Sequence, residues 1–487
     1  MVGTRDIRRS EWLLAVALSL LAAGGLVYGV AVGVRMPAGI AALILALLSI
    51  LIASRSLGAC RARLRAGGGF SWLGSAIFGA GILIAVILPG VQLLLGVRKS
   101  RPEDNGFPIQ DVGHDLALAF LIFTMALLAF WIGELLAEAI AMRRGRNEVV
   151  PSRPIGRPWE TRATYWFLLV VGVVLIIASI GSDFSQRGTV TGQGLIQLFG
   201  YSAPLAIAVG LLNRHWGSRF LAAVSLALMV FMILQGIRTP LLIIAAAAGV
   251  RYLYSTRKRR FGLREIVVIV LAIYVGSVIL VSLSAWRGQR NIEGGGGLGL
   301  PEIVVLAAQD PFVHLQEQGL DTVDGLILST KVDPKLAGAK VTDPLKVVTG
   351  FIPHQIWPSK PPWLSAQVSQ LYTNFGASGG IFLSGTGYIL IVFGTAAAVP
   401  IAFLLLGFFS ERIFRRMAQP SIWTALLGYF LVRFFFAGDA FDANHVLGLC
   451  IVVLTARGFS ALTVLRHRPP VIERRPQREA YARSTAA

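Results

Sequence analysis

Apolar residues run along this chain in long blocks with polar residues gathered in the gaps, a pattern of helices buried on all sides or facing hydrocarbon. Twelve blocks are readable, at 12–34, 38–54, 70–96, 114–142, 164–181, 193–213, 218–234, 240–254, 265–285, 379–409, 421–436 and 444–463. Most approach the roughly 20 residues that a helix needs to cross about 30 Å of hydrocarbon. Four are shorter: the second, seventh, eighth and eleventh. Nine blocks precede, and three follow, one long polar stretch from Trp286 to Ser378. The expected fold is therefore all-α, a polytopic bundle of about 12 transmembrane helices. Residues 1–285 form the first nine spans, 286–378 an extramembrane segment, 379–465 the last three spans and 466–487 a basic tail.

Composition agrees: of 487 residues 55% are hydrophobic and 14% charged, with a mean hydropathy of +0.68. A soluble multi-domain protein is excluded. The net charge of +20 would suit nucleic acid, but its placement points elsewhere. With a cytoplasmic N-terminus, 31 of the 45 Lys and Arg fall on inner loops and tails, as the positive-inside rule requires. Both termini are then inside and the stretch 286–378 faces outward, nearly neutral with 7 Lys or Arg against 8 Asp or Glu. Anionic inner-leaflet lipid accounts for the basic surplus, and no nucleic-acid partner is expected. The basic, apolar first 34 residues read as a retained signal-anchor. Cys60, on an inner loop, and Cys450, in the last span, are not expected to pair, and the cysteine-free outer segment must be stabilised by packing on the bundle.

Within that segment Gly294 to Gly297 reads as a flexible joint. Pro301 to Gln318 predicts two short amphipathic helices lying at the interface, and Asp321 to Thr330 has the length of a third. Trp357, Pro358, Pro361, Pro362 and Trp363 form a turn whose two tryptophans suit headgroup depth.

Candidate chemistry gathers at the outward helix ends. In Gln235-Gly-Ile-Arg238-Thr-Pro240, Thr239 reads as an N-cap and Pro240 as the first helical residue, so unpaired amides beside Arg238 form an anion site. The competing reading is an arginine that snorkels to the headgroups. Arg287 and Arg290, three residues apart after the ninth span, can grip a diphosphate bidentately or rest on lipid phosphates. His354 and Lys360 sit in the proline-rich turn, where a histidine can take a hydroxyl proton near neutral pH or serve as a plain hydrogen-bonding residue. His314, Glu317, Asp310 and Asp324 are rival bases. Arg433 and the loop from Gly438 to His445, with Asp439 and Asp442, form a further outward polar group that either lines the same cavity or pairs internally. There is no Walker loop, His-Glu-x-x-His, cysteine cluster or Gly-x-Ser-x-Gly.

Three of these features, in order, resemble the bacterial oligosaccharide repeat-unit polymerases, the Wzy-type O-antigen and capsule polymerases. They are Gly236-Ile-Arg238-Thr-Pro opening a span that ends in a basic cluster, an arginine after the next span, and Ile352-Pro-His-Gln-Ile-Trp-Pro-Ser-Lys-Pro361 late in a large outer loop. The resemblance covers roughly Ser218 to Phe409. It departs from the family at His354, where an arginine is frequent, and at Gly385-Thr-Gly-Tyr388, where an acidic residue often precedes the tyrosine.

The family implies a metal-independent, cofactor-free glycosyltransferase in the bacterial inner membrane, with its site facing outward. It transfers a glycan from polyprenyl diphosphate to a sugar hydroxyl of a second lipid-linked repeat unit, alongside flippase and chain-length regulator proteins. Arg238, Arg287 and Arg290 would then stabilise the leaving diphosphate and His354 would activate or position the acceptor. Lys360, Trp357, Arg433, Asp439 and His445 would contact substrate. An O-antigen ligase and a lipid-linked oligosaccharide flippase are the competing readings.

Overall fold

The computed structural model describes residues 38–96, 112–143, 158–178, 201–213, 239–257, 299–309, 322–332, 339–350, 362–372, 383–436 and 440–466. Single positions at 223, 227, 267, 271, 274–276, 278, 279, 282, 352, 356, 357, 359 and 438 are also described. Among the described residues every regular element is helical and there is no strand. In chain order these are α1 (Ala38–Arg65), α2 (Leu73–Leu94), α3 (Val112–Arg143), α4 (Pro158–Ala178), α5 (Ser202–Asn213), α6 (Thr239–Thr256) and α7 (Leu300–Gln309). They continue with α8 (Thr322–Lys331), α9 (Leu364–Tyr372), α10 (Ser384–Phe393), α11 (Ala398–Arg416), α12 (Ile422–Phe436) and α13 (Ala440–Arg466). A tight 3-10 turn, Asp343–Leu345, runs into the single turn Lys346–Thr349 between α8 and α9.

Four helical stretches are long and apolar enough to cross a membrane: Ala38–Arg65, Leu73–Leu94, Gly113–Arg143 and Ala443–Leu462. Five shorter apolar helices accompany them, in α4, α5, α6, α10 and α12. Ile401, Leu405, Phe409 and Ile413 form an exposed stripe one turn apart on α11, and Trp166, Val170 and Val174 do the same on α4. Large apolar side chains left outside at helical spacing mark a surface that meets hydrocarbon. The molecule is an all-helical membrane protein.

Inside, four phenylalanines from four helices make the centre of the core. Phe78 of α2 stacks on Phe435 of α12 at 4.0 Å and on Phe403 of α11 at 5.5 Å, while Phe130 of α3 meets Phe435 edge-on at 5.3 Å. Glycines let α3 and α11 touch backbone to backbone: a methyl on Gly133 would overlap the Leu404 carbonyl, and one on Gly407 the Phe130 carbonyl. In α2 a π-turn, Leu83–Ile87, precedes Pro89, whose ring would otherwise strike the carbonyl four residues back.

Arginines collect at one end of the bundle. Arg61 Nη2 donates to the Thr256 carbonyl at 2.9 Å and Arg65 Nε to the Arg257 carbonyl at 2.5 Å, joining the ends of α1 and α6. Arg63 pairs with Glu138 of α3 at 3.1 Å. Arg415 and Arg416 close α11, and Arg457 of α13 lies over Trp423 at the start of α12. Arg251 reaches the Leu212 carbonyl at the end of α5, so α5 and α6 both run toward this basic end.

Three expectations need correction. The block 379–409 is two helices, because Gly394 at φ 65° caps α10 and turns the chain into α11. Cys60 lies inside α1 and is buried, since the helix continues past its apolar block to Arg65. Thr322–Lys331 does not lie at an interface: Thr322 through Ser329 are all buried. Val323, Leu326, Ile327 and Leu328 are apolar and the remaining positions are small or short, so this helix can be enclosed on every side. Its neighbours are α10, α3 and the π-turn of α2. Ser329 fits only because residue 387 is glycine, whose methyl would meet Ser329 Oγ at 2.4 Å.

Candidate functional site

At the end of the bundle opposite the arginines, α5, α6 and α13 begin and α12 stops. Tyr201, just before α5, meets the His445 ring of α13 edge-on at 4.9 Å, and Tyr429 of α12 lies 6.4 Å from the same ring. Arg433 follows Tyr429 by one turn and so shares its face of α12, where it is half-buried. Along α12 it stands about 15 Å from Trp423 at the basic end. The α12 end is closed by Gly438 N donating to the Arg433 carbonyl at 3.0 Å. A methyl on Gly438 would overlap the Gly385 backbone, which fixes the start of α10 against this corner.

The polar segment folds onto the same corner. Asn444 Nδ2 donates to the Val347 carbonyl at 2.7 Å, tying the turn 343–349 to α13. Gly350 lies so close beneath Trp363 and Asn444 that an added methyl would meet both, at 2.6 and 2.7 Å. Lys346 Nζ bridges Asp343 Oδ1 at 2.7 Å and the Pro362 carbonyl at 3.1 Å, and Gln367 Nε2 donates to that carbonyl at 3.2 Å. The turn, Pro362 and α9 are thereby braced together.

Below it α8 enters the bundle. Thr322 Oγ1 donates to the Phe436 carbonyl at 2.8 Å, and Lys331 at the other end pairs with Asp115 of α3 at 2.5 Å. Asp324, in the first turn of α8, is 3% exposed. Beside α8, Ser384 opens α10 at φ 59° and its Oγ accepts from Gly387 N at 3.2 Å, while Ser384 Oγ and Thr386 Oγ1 are 2.8 Å apart. A non-glycine residue held in the left-handed region is strained, and here the glycine-lined contact with α12 holds it.

Of the site residues expected from sequence, His445 of α13 lies beside Tyr429 of α12, and Arg433 follows Tyr429 by one turn on the same helix. Trp357 is half-buried, its Nε1 donating to Ser359 Oγ at 3.1 Å in the proline turn. Arg238, Arg287, Arg290, His354, Lys360 and Asp439 lie outside the described residues, as do the rival bases His314, Glu317 and Asp310. Thr239, which follows Arg238 in the chain, begins α6 at this end, as the Thr-Pro signal predicted to within a residue. Of the rival bases, only Asp324 is described. Tyr201 and Tyr429 went unread, and from Ala440 on the stretch expected to be a loop, Gly438 to His445, is the first part of α13, which carries Asn444 and His445 on a helix.

No family model, curated protein or solved structure matches the chain. The corner itself offers a guanidinium at a helix end, an imidazole between two phenols and a buried carboxylate one element away. Such groups can hold an anion, orient hydroxyls and accept a proton.

Proposed function

We propose that the protein is a glycosyltransferase of the bacterial inner membrane that polymerises polyprenyl-diphosphate-linked oligosaccharide repeat units on the outer face. The observation that carries this reading is the convergence of the polar segment and the helix ends: α8 and the turn 343–349 are built into the corner that holds Arg433 and His445. A transferase acting on two lipid-linked sugars needs such a meeting of polar cleft and apolar groove. The helix α6 packs between α5 and α12 and begins at the same end as the corner.

Twelve spans with both termini inside remain the topology we favour. Support comes from α5 ending and α6 beginning at opposite ends of the bundle, with the apolar block 218–234 between them, and from the arginines gathered at one end.

In the reaction the acceptor hydroxyl oxygen bonds to the donor's anomeric carbon as the bond from that carbon to the diphosphate oxygen breaks. The electron pair leaves with polyprenyl diphosphate, whose charge Arg238, Arg287 and Arg290 would neutralise. His354 would take the hydroxyl proton or orient the hydroxyl; Lys360, Trp357, Arg433, Asp439 and His445 would hold the sugars. Deleting the gene and resolving surface glycans on gels tests this. A single-repeat product is expected, whereas complete loss of surface glycan would favour a ligase or flippase. Replacing Arg238, Arg287 and Arg290 together with Gln should abolish polymer at normal protein abundance, and undiminished polymer would overturn the assignment.

A further inference from the structure

The last turns of α11 read Ser410-Glu411-Arg412-Ile413-Phe414-Arg415-Arg416, four charges within six residues. Helical spacing sorts them onto two faces. Glu411 and Arg415, one turn apart, face inward: Glu411 is fully buried, its Oε2 accepts from Trp72 N at 2.8 Å, and Arg415 opposes its charge. Arg412 and Arg416, also one turn apart, are exposed on the other side. Arg412 lies over the Phe408 ring, 5.6 Å from its centre. Among the described residues no carboxylate pairs with either arginine. Elsewhere at the basic end the arginines are already engaged, Arg61 on the Thr256 carbonyl, Arg65 on the Arg257 carbonyl and Arg63 on Glu138.

The two outward arginines continue an apolar stripe. Ile401, Leu405 and Phe409 stand four residues apart on the same face, each exposed, and Ile413 carries the stripe past Arg412. From Ile401 to Arg412 the helix rises about 16 Å. That is about half of the roughly 30 Å of hydrocarbon in a bilayer, the reach of the acyl chains of one leaflet. A surface that is apolar for the depth of one leaflet and then doubly cationic matches the tail and the phosphate of a phospholipid. Guanidiniums one turn apart can take the phosphate oxygens from two sides. The ammonium of a zwitterionic headgroup would meet the same two cations with no carboxylate to receive it, so the face discriminates by headgroup charge.

We propose that α11 carries a binding site for one anionic phospholipid, its phosphate held by Arg412 and Arg416 and an acyl chain laid along Phe409, Leu405 and Ile401. The site is independent of whatever reaction the outward corner performs.

The test uses the full-length protein in vesicles of equal parts phosphatidylglycerol and phosphatidylethanolamine, with the photoreactive amino acid benzoylphenylalanine in place of Leu405. Irradiation should yield a lipid adduct in which phosphatidylglycerol exceeds its share of the vesicle, as read by mass spectrometry. Arg412→Gln and Arg416→Gln should each lower that preference by about fivefold, and together bring it to the vesicle ratio. Arg412→Lys keeps the charge and should retain most of it. Arg55→Gln, at an exposed arginine of α1, should leave it unchanged, and none of these surface changes should move Tm in a zwitterionic detergent. An adduct at the vesicle ratio in the otherwise unaltered chain, an equal loss in Arg55→Gln, or crosslinking to protein rather than lipid would overturn the site.

Discussion

Asn444 ties the turn 343–349 to α13 through one bond, 2.7 Å from its Nδ2 to the Val347 carbonyl. Replacing it with Ala leaves that carbonyl without its donor, a cost of about 1–3 kcal/mol. The loss should be local. Limited proteolysis within 339–363 is expected to quicken by about tenfold, the equivalent of roughly 1.4 kcal/mol, while Tm of the bundle barely moves. A large fall in Tm with unaltered cleavage would show that the turn is not held this way. Glycines offer a sharper comparison. Gly407→Ala forces a methyl onto the Phe130 carbonyl and should destabilise by about 1–3 kcal/mol, read as lowered Tm and abundance. Gly458→Ala, on α13 with open space around it, should be neutral or gain up to about 1 kcal/mol from helix propensity. Equal effects at both positions would contradict the α3–α11 contact.

Among the elements, α8 departs furthest from what its sequence suggests. A buried helix that enters from the polar segment predicts a pattern of chemical access. With both native cysteines replaced, Ser329→Cys should resist a membrane-impermeant maleimide in intact cells, whereas Val348→Cys, on the exposed side of the turn, should react. Rapid labelling of Ser329→Cys would return α8 to the surface. The reason α8 was misread is general: apolar periodicity says that a segment will be buried, but not whether lipid or protein buries it. Its partner signals, Gly387 beneath Ser329 and Asp115 opposite Lys331, lie far away in the chain. The long helices α2 and α3 were legible almost to the residue because their blocks are uninterrupted. The break at Gly394 was hidden, since only Thr395 interrupts the apolar run around the glycine and hydropathy carries no information about φ. Within the corner, Arg433 and His445 were legible as polar residues at span ends. Tyr201 and Tyr429 were not, because an aromatic at a helix end is equally at home facing lipid.

For the whole molecule, the described contacts put the ends of α1, α3, α5, α6, α11 and α13 and the starts of α2, α4 and α12 at the arginines, so direction alternates along the described helices except from α5 to α6, which both close there. Thr164 of α4 facing Ser460 of α13 at 3.2 Å places the start of α4 beside the end of α13, as alternation requires. Lys and Arg resist transfer across the bilayer far more than Asp and Glu do, so the end rich in arginine should be cytosolic. A phosphatase reporter, active only outside the inner membrane, should therefore be active when fused after Gly350 and inactive when fused after Arg416. A fluorescent protein that matures only in the cytosol should give the reverse. Both fusions fall after described helices whose ends are fixed by contacts, Gly350 against Trp363 and Arg416 after the α3–α11 pair, so neither reading depends on hydropathy. Phosphatase activity after Arg416 would invert the whole chain at once. The corner of Arg433 and His445 would then face the cytosol, where soluble nucleotide sugars rather than exported lipid-linked repeats are the available donors, and the transferase reading would lose its substrate.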